Sequence, residues 1–186
     1  ILGALGCGGS PRNTEIRELD MTQQRECQMP FLDAIAHFMQ HDGKTTGRFN
    51  AQQAAWFLGL QLEELAEKIA IVMGGCVDKH ALACLQPLYD TLDRFSVEFK
   101  QGLRQGDILR SNHAQLLDAD FDLAWVSIAA MFSASTDAQG AVRHGTFTNL
   151  DKFRDGCIKD ANGKIQKPPD WQAPDFEPYT DKTIRV

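Results

Sequence analysis

The sequence predicts an all-α chain, a helical bundle of four to five helices closed by a long ordered C-terminal loop or hairpin. Three observations carry this prediction. Apolar residues recur at spacings of three and four through most of residues 29–133. Glycines and capping residues fall between those runs rather than inside them. Alternating apolar runs bounded by turns, which would signal strands, are missing apart from a small hairpin around Gly163.

The first helix is expected over Met29–Met39, where Phe31, Leu32, Ile35, Phe38 and Met39 share a face. HDGKTTGRFN follows as a loop, with Asn50 placed to cap the next helix. That second helix runs from Ala51 to Met73 and stops at Gly74 and Gly75. A third, His80–Leu103, carries Leu82, Leu85, Leu88, Leu92, Phe95 and Phe99 on one face, with Pro87 near its first turns. The fourth begins at Asp107 or Ser111 and runs to Ser133, with Leu109, Leu116, Leu123, Val126 and Ala130 as its core stripe. AVRHGTF, residues 141–147, reads as a short helix or a turn. From Thr148 to Phe176 the chain is polar, with Gly156, Gly163 and three prolines, and reads as a loop pinned back by Trp171 and Pro174.

With 186 residues the chain can bury one substantial core, so one domain over 21–186 is expected, its basic tail 138–186 folding over the site. Residues 1–20, short, Gly-bearing and without a basic leader, are expected to lie outside the fold as a flexible or appended extension. A net charge of -6 argues against nucleic acid or a membrane surface as a partner. Five cysteines with no CxxC spacing argue for free thiols in a reducing compartment, hence a cytoplasmic location.

The second helix holds the chemistry. Trp56, Leu60, Glu64, Glu67 and Ile71 form a stripe in which two carboxylates stand between bulky apolar residues, and Glu63 edges the same face. Like charges this close repel unless cations or strong donors compensate. A solvated acidic face is the plain alternative. On the fourth helix, Gln115, Asp118, Asp122, Trp125 and Ala129 make a second acidic stripe, with Asp118 and Asp122 one turn apart. Carboxylates from two facing helices supply hard oxygen ligands suited to Mg²⁺ or Mn²⁺. Lys152, Arg154, Lys159, Lys164 and Lys167 gather basic charge in the tail, where it would meet phosphate oxygens. No Glu-x-x-His pair occurs, which sets aside a di-iron carboxylate bundle.

These residues resemble the all-α nucleoside triphosphate pyrophosphohydrolases, the group containing MazG, the dimeric dUTPases and the phosphoribosyl-ATP pyrophosphohydrolases. The family signature is EExxE on one helix and ExxD on a later one. EELAE, Glu63–Glu67, matches the first; QLLD, Gln115–Asp118, matches the second except that Gln115 replaces a glutamate. Asp122 fills a further family position, and Asp120 is the substitute ligand if the helix is rotated. TNLDKF and the following GK…K…W…PD resemble the family's Asn-x-x-Lys segment and ending, so the likeness spans 49–175.

The resemblance implies Mg²⁺-dependent hydrolysis of a nucleoside triphosphate to the monophosphate and pyrophosphate. It implies Glu63, Glu64, Glu67, Asp118 and Asp122 as metal ligands, with Glu63 or Glu64 orienting the attacking water. Asn149, Lys152, Lys164 and Lys167 would bind the nucleotide. Trp56 and Trp125 are candidates for base stacking as well as for the core. The family also implies a homodimer or homotetramer, and Gln115 leaves a catalytically impaired nucleotide-binding module as the alternative.

Overall fold

The computed structural model describes residues 30–154, 156, 158–160 and 165–181, and the expected extension at 1–20 lies outside them. The described chain is all-α: α1 (Phe31–His41), α2 (Ala51–Gly74), α3 (Lys79–Lys100), α4 (Gln105–Arg110), α5 (His113–Ala134) and α6 (Ala138–Leu150), then two single 3₁₀ turns. Six helices stand where four to five were expected. Of the two expected starts of the fourth helix, the one at Ser111 stands: the Asn112 side chain accepts from the amides of Ala114 and Gln115 and starts α5, while Gln105–Arg110 form the separate α4. The segment read as a short helix or turn is a helix of 13 residues, begun by Asp137, whose carboxylate accepts from the Gly140 amide. Asn149 therefore belongs to the last turn of α6 rather than to a loop.

Local signals explain the boundaries. Gly43, at φ 67°, lets the chain turn out of α1, and the Lys44 amide donates back to the Met39 carbonyl at 2.8 Å. Asn50 caps α2 as the sequence predicts, accepting from Gln53 N–H at 3.1 Å. The Gln53 side chain reciprocates across the loop, donating to the Thr45 carbonyl and accepting from the Thr45 amide, both at 2.8 Å. Asp42 is buried, with the Lys159 ammonium 2.9 Å and the Lys44 ammonium 3.5 Å from its carboxylate. A buried carboxylate needs such partners, and Lys159 thereby ties the tail to the end of α1.

α2 and α3 form an antiparallel hairpin and the most extensive helix pair of the fold. Its seam is made of small residues: Ala55, Gly59 and Ala66 recur on one face of α2 and are buried, as is Ser96 on α3. A Cβ on Gly59 would stand 2.8 Å from the Ser96 carbonyl oxygen and 2.9 Å from the Lys100 nitrogen. Both are backbone atoms, so the helices touch main chain to main chain here. At the far end of α3, Arg104 donates to Glu98 at 2.7 Å and lies over the Phe95 ring. The Glu98 hydrogen bond, more than the pairing with Asp107, holds the guanidinium above its ordinary pKa. α4 then lays Ile108 against Ala51 and Ala55, with Leu58, Phe99 and Leu116 around them.

That small cluster is the centre of the α2–α5 half. α1 packs on α6 instead, with Phe38 edge-on to Phe153 at 4.8 Å. The expected core stripe of α5 is largely exposed: Leu123 and Val126 face solvent, as does Leu109 of α4, and no α5 residue is buried. Leu116 alone of that stripe joins the core cluster.

Replacing Gly59 with alanine is expected to lower unfolding stability by about 1–3 kcal/mol, since the new methyl meets backbone that cannot yield without moving a helix. The Ser96 hydroxyl has no hydrogen-bond partner among the described residues, so Ser96→Ala is expected to be neutral or mildly stabilising. Urea unfolding of both variants checks the pair, and equal destabilisation by the two would contradict this account of the seam.

Candidate functional site

Glu63, Glu64 and Glu67 occupy one and a half turns of α2 beyond the seam, and they do not share one environment. Glu63 lies on the α3 side, its carboxylate 3.0 Å from the Lys100 ammonium, both side chains about a quarter exposed. Glu64 and Glu67 are exposed. Gln61, one turn before Glu64, donates from its side-chain amide to Asp120 Oδ1 of α5 at 3.1 Å. The acidic turn is thus flanked by a cation from α3 and by a carboxylate from α5.

The α5 residue brought to α2 is Asp120, not Asp118 or Asp122. With about 100° of rotation per residue, Asp118 and Asp122 each lie roughly 160° around the helix from Asp120. Both are exposed on the side turned away from α2, and Gln115 is exposed as well. The rotation is fixed by Leu116, which is drawn into the Ala51–Ala55–Ile108 cluster and carries Asp120, one turn on, toward Gln61. Carboxylate oxygens suit a hard divalent cation in kind, but their placement within one chain does not converge. Among the described residues no three His, Cys, Asp or Glu side chains gather closely enough to hold a metal ion.

Between the start of α2 and the start of α5 opens a pocket of about 540 Å³, lined by Gly47, Arg48, Phe49, Ala54, Leu116 and Asp120 among others. Phe49 stacks on His113 at its mouth, ring centroids 3.9 Å apart and planes 23° from parallel. Its volume falls within the roughly 300–1,000 Å³ typical of small-molecule sites. Neither His113 nor Phe49 stands out in the sequence as a site residue. Their adjacency follows from two capped helix starts meeting, Asn50 before α2 and Asn112 before α5, and spacing along the chain does not show that meeting.

The tail residues are brought together elsewhere, on α6. Trp171 donates from its indole N–H to the Thr148 carbonyl at 2.9 Å. Lys167 stands 4.3 Å and Lys152 5.3 Å from its ring centroid, and Lys152 also donates to Asn149 Oδ1 at 2.7 Å. Asn149, Lys152 and Lys167 thus form one group around an indole, with Arg154 paired to Asp151 and Asp170 beside it. Lys164 lies outside the described residues. Further along, the Asp175 amide donates to His144 Nε2 at 3.1 Å, which gives that histidine a role in holding the tail. Trp171 acts as the anchor the sequence predicts.

The two remaining aromatic candidates do not meet a common ligand space. Trp56 has the Lys44 ammonium 3.8 Å from its ring centroid and Phe57 edge-on at 5.1 Å. Trp125 is exposed near the middle of α5, with Phe121 as its aromatic neighbour.

No known family model, no curated protein and no solved structure matches the chain. The functional reading therefore rests on its own residues. No described helix is long and apolar enough to cross a membrane.

Trp171→Ala is expected to release the tail from α6. It removes the bond to Thr148 and the surface shared by two lysines, at a cost of about 1–3 kcal/mol for a half-buried indole. Limited proteolysis checks it: cleavage between residues 154 and 181 should accelerate while helical circular dichroism stays at its original level.

Proposed function

We propose that the chain is a nucleotide-binding hydrolase acting on a nucleoside triphosphate, releasing pyrophosphate in the presence of Mg²⁺ or Mn²⁺. The observation that carries the reading is the link between pocket and acidic turn: Asp120 lines the pocket and is bonded to Gln61, one turn before Glu64. A base or sugar held beside Phe49 and His113 would extend its phosphates along α2 toward Glu64 and Glu67. The resemblance of EELAE and TNLDKF to the pyrophosphohydrolase signatures supports the same reaction class.

In this reading Glu64 and Glu67, with Asp118 and Asp122, are the ligands of the hard cation, which when bound would shield phosphate charge. Lys100 neutralises Glu63 and so offsets part of the acidic charge of the turn. Glu64 orients the attacking water or accepts its proton, Lys152 and Lys167 neutralise the remaining phosphate charge, and Asn149 hydrogen-bonds the nucleotide. A dimer or tetramer is part of the proposal.

A second reading is favoured by Gln115 and by the outward placement of Asp118 and Asp122: a nucleotide-binding module without turnover. A panel of ribo- and deoxyribonucleoside triphosphates with Mg²⁺, followed for pyrophosphate, separates the two. Hydrolysis is expected, with Glu64→Gln lowering kcat by about 100-fold or more and Lys152→Ala acting mainly on KM. Saturable binding with no pyrophosphate would establish the second reading, and neither binding nor product would overturn both.

A further inference from the structure

The largest unexplained feature lies on α5, on the face turned from the rest of the chain. Leu117, Phe121, Trp125, Ile128 and Phe132 recur at steps of four, four, three and four, one continuous stripe four turns long. Their exposures are 70%, 61%, 67%, 38% and 59%, and the stripe starts at the pocket wall, which Leu117 also lines, before turning away from the rest of the chain. Monomeric proteins rarely leave a contiguous apolar strip of this size in water.

We propose that this stripe is covered by the same stripe of a second copy, with the two α5 helices antiparallel about a two-fold axis between Ala124 and Trp125. An isologous interface requires a surface that is complementary to itself under that axis, and the stripe meets the requirement residue by residue. The axis sets Leu117 opposite Phe132, Phe121 opposite Ile128, and Ala124 opposite Trp125. Each large side chain meets an apolar one, and the largest meets the smallest.

Charge selects the antiparallel arrangement. All three carboxylates of α5, Asp118, Asp120 and Asp122, lie in its first half, and residues 123–134 carry no charge. Under the axis Asp118 faces Met131 and Asp122 faces Ser127. A parallel pair would instead set Asp118 against Asp118 and Asp122 against Asp122, a repulsion with no cation on the helix to relieve it. Size points the same way: five large apolar side chains exposed at 38–70% form an apolar centre suited to an interface of standard size, about 800 Å² per partner. The pairing names the surface of the proposed dimer, and it stands whether or not the chain hydrolyses a nucleotide.

The test is the oligomeric state of the full chain by sedimentation velocity at micromolar concentration. A dimer is expected. Phe121→Lys and Ile128→Glu, each set against an apolar partner, should weaken it by about 100-fold or more. The double variant Phe121→Lys with Ile128→Glu should recover most of the affinity, because only the antiparallel register places each lysine against a glutamate. All these positions are solvent-exposed in the single chain, so circular dichroism should stay unchanged and exclude misfolding. A monomeric full chain would overturn the proposal, leaving the stripe to residues 1–29 or a foreign helix. A dimer indifferent to the single charges, or a double variant no better than either single one, would overturn it equally. Pyrophosphate release enters none of these readouts, so the pairing and the hydrolase reading fail separately.

Discussion

The contact on which the rest of the structure depends is the main-chain approach of α2 and α3 at Gly59. Ridge-into-groove packing normally holds helix axes about 8–10 Å apart, the distance depending on the side chains between them. A seam of Ala55, Gly59, Ala66 and Ser96 puts almost nothing between them. The close approach carries the Lys100 stem against α2, and from there the ammonium reaches Glu63. The first glutamate of the acidic turn is therefore paired because of a glycine one turn earlier. A bulkier residue at 59 would move Lys100 and leave Glu63 without that cation.

A seam of small residues has a second consequence. The buried hydrophobic residues of the described chain are alanines together with Ile108 and Leu150, so the large side chains are spread over half-buried and exposed positions. Burial of apolar area is the main favourable term in folding, at about 25 cal/mol per Å². A chain that satisfies its backbone with long helices while leaving Phe121, Trp125 and Phe132 outside has used only part of the area its sequence offers. The remainder is available to association, and α5, the helix with no buried residue, holds the most continuous share of it.

The helices were legible because capping and periodicity are local. Asn50 and the glycines after Met73 mark α2 in the sequence as they do in the structure. The break at Ser111–Asn112 was legible only as one of two possible starts, since the apolar period runs on through it and only the Asn112 cap interrupts it. The candidate site was legible in its acidic turn. The sequence marks Trp171 as the anchor of the tail, but the gathering of Asn149, Lys152 and Lys167 around its ring is a tertiary contact that spacing does not show. What periodicity left open was rotation. The stripes Leu116–Leu123–Ala130 and Phe121–Trp125–Phe132 are both apolar, and a hydrophobic pattern cannot say which one faces the chain's own core when the helix is apolar nearly all round. The structure turns Leu116 inward, and that choice decides which aspartate meets α2.

The rotation of α5 also joins the pocket and the acidic turn into one problem. Turning Leu116 into the cluster sets Asp120 on the pocket wall and against Gln61, and it sends Asp118 and Asp122 to the flank beside the exposed stripe. A second copy laid on that stripe would bring Met131 and Ser127, and no cation from its own α5, toward those two aspartates. The pair would then stand in a partly desolvated place with charge uncompensated by the helix facing it. Removing water from beside two neighbouring carboxylates is costly unless a cation compensates them. The proposed dimer and the proposed divalent metal thus make related demands on Asp118 and Asp122: one removes water from beside them, and the other supplies the charge that makes the removal tolerable.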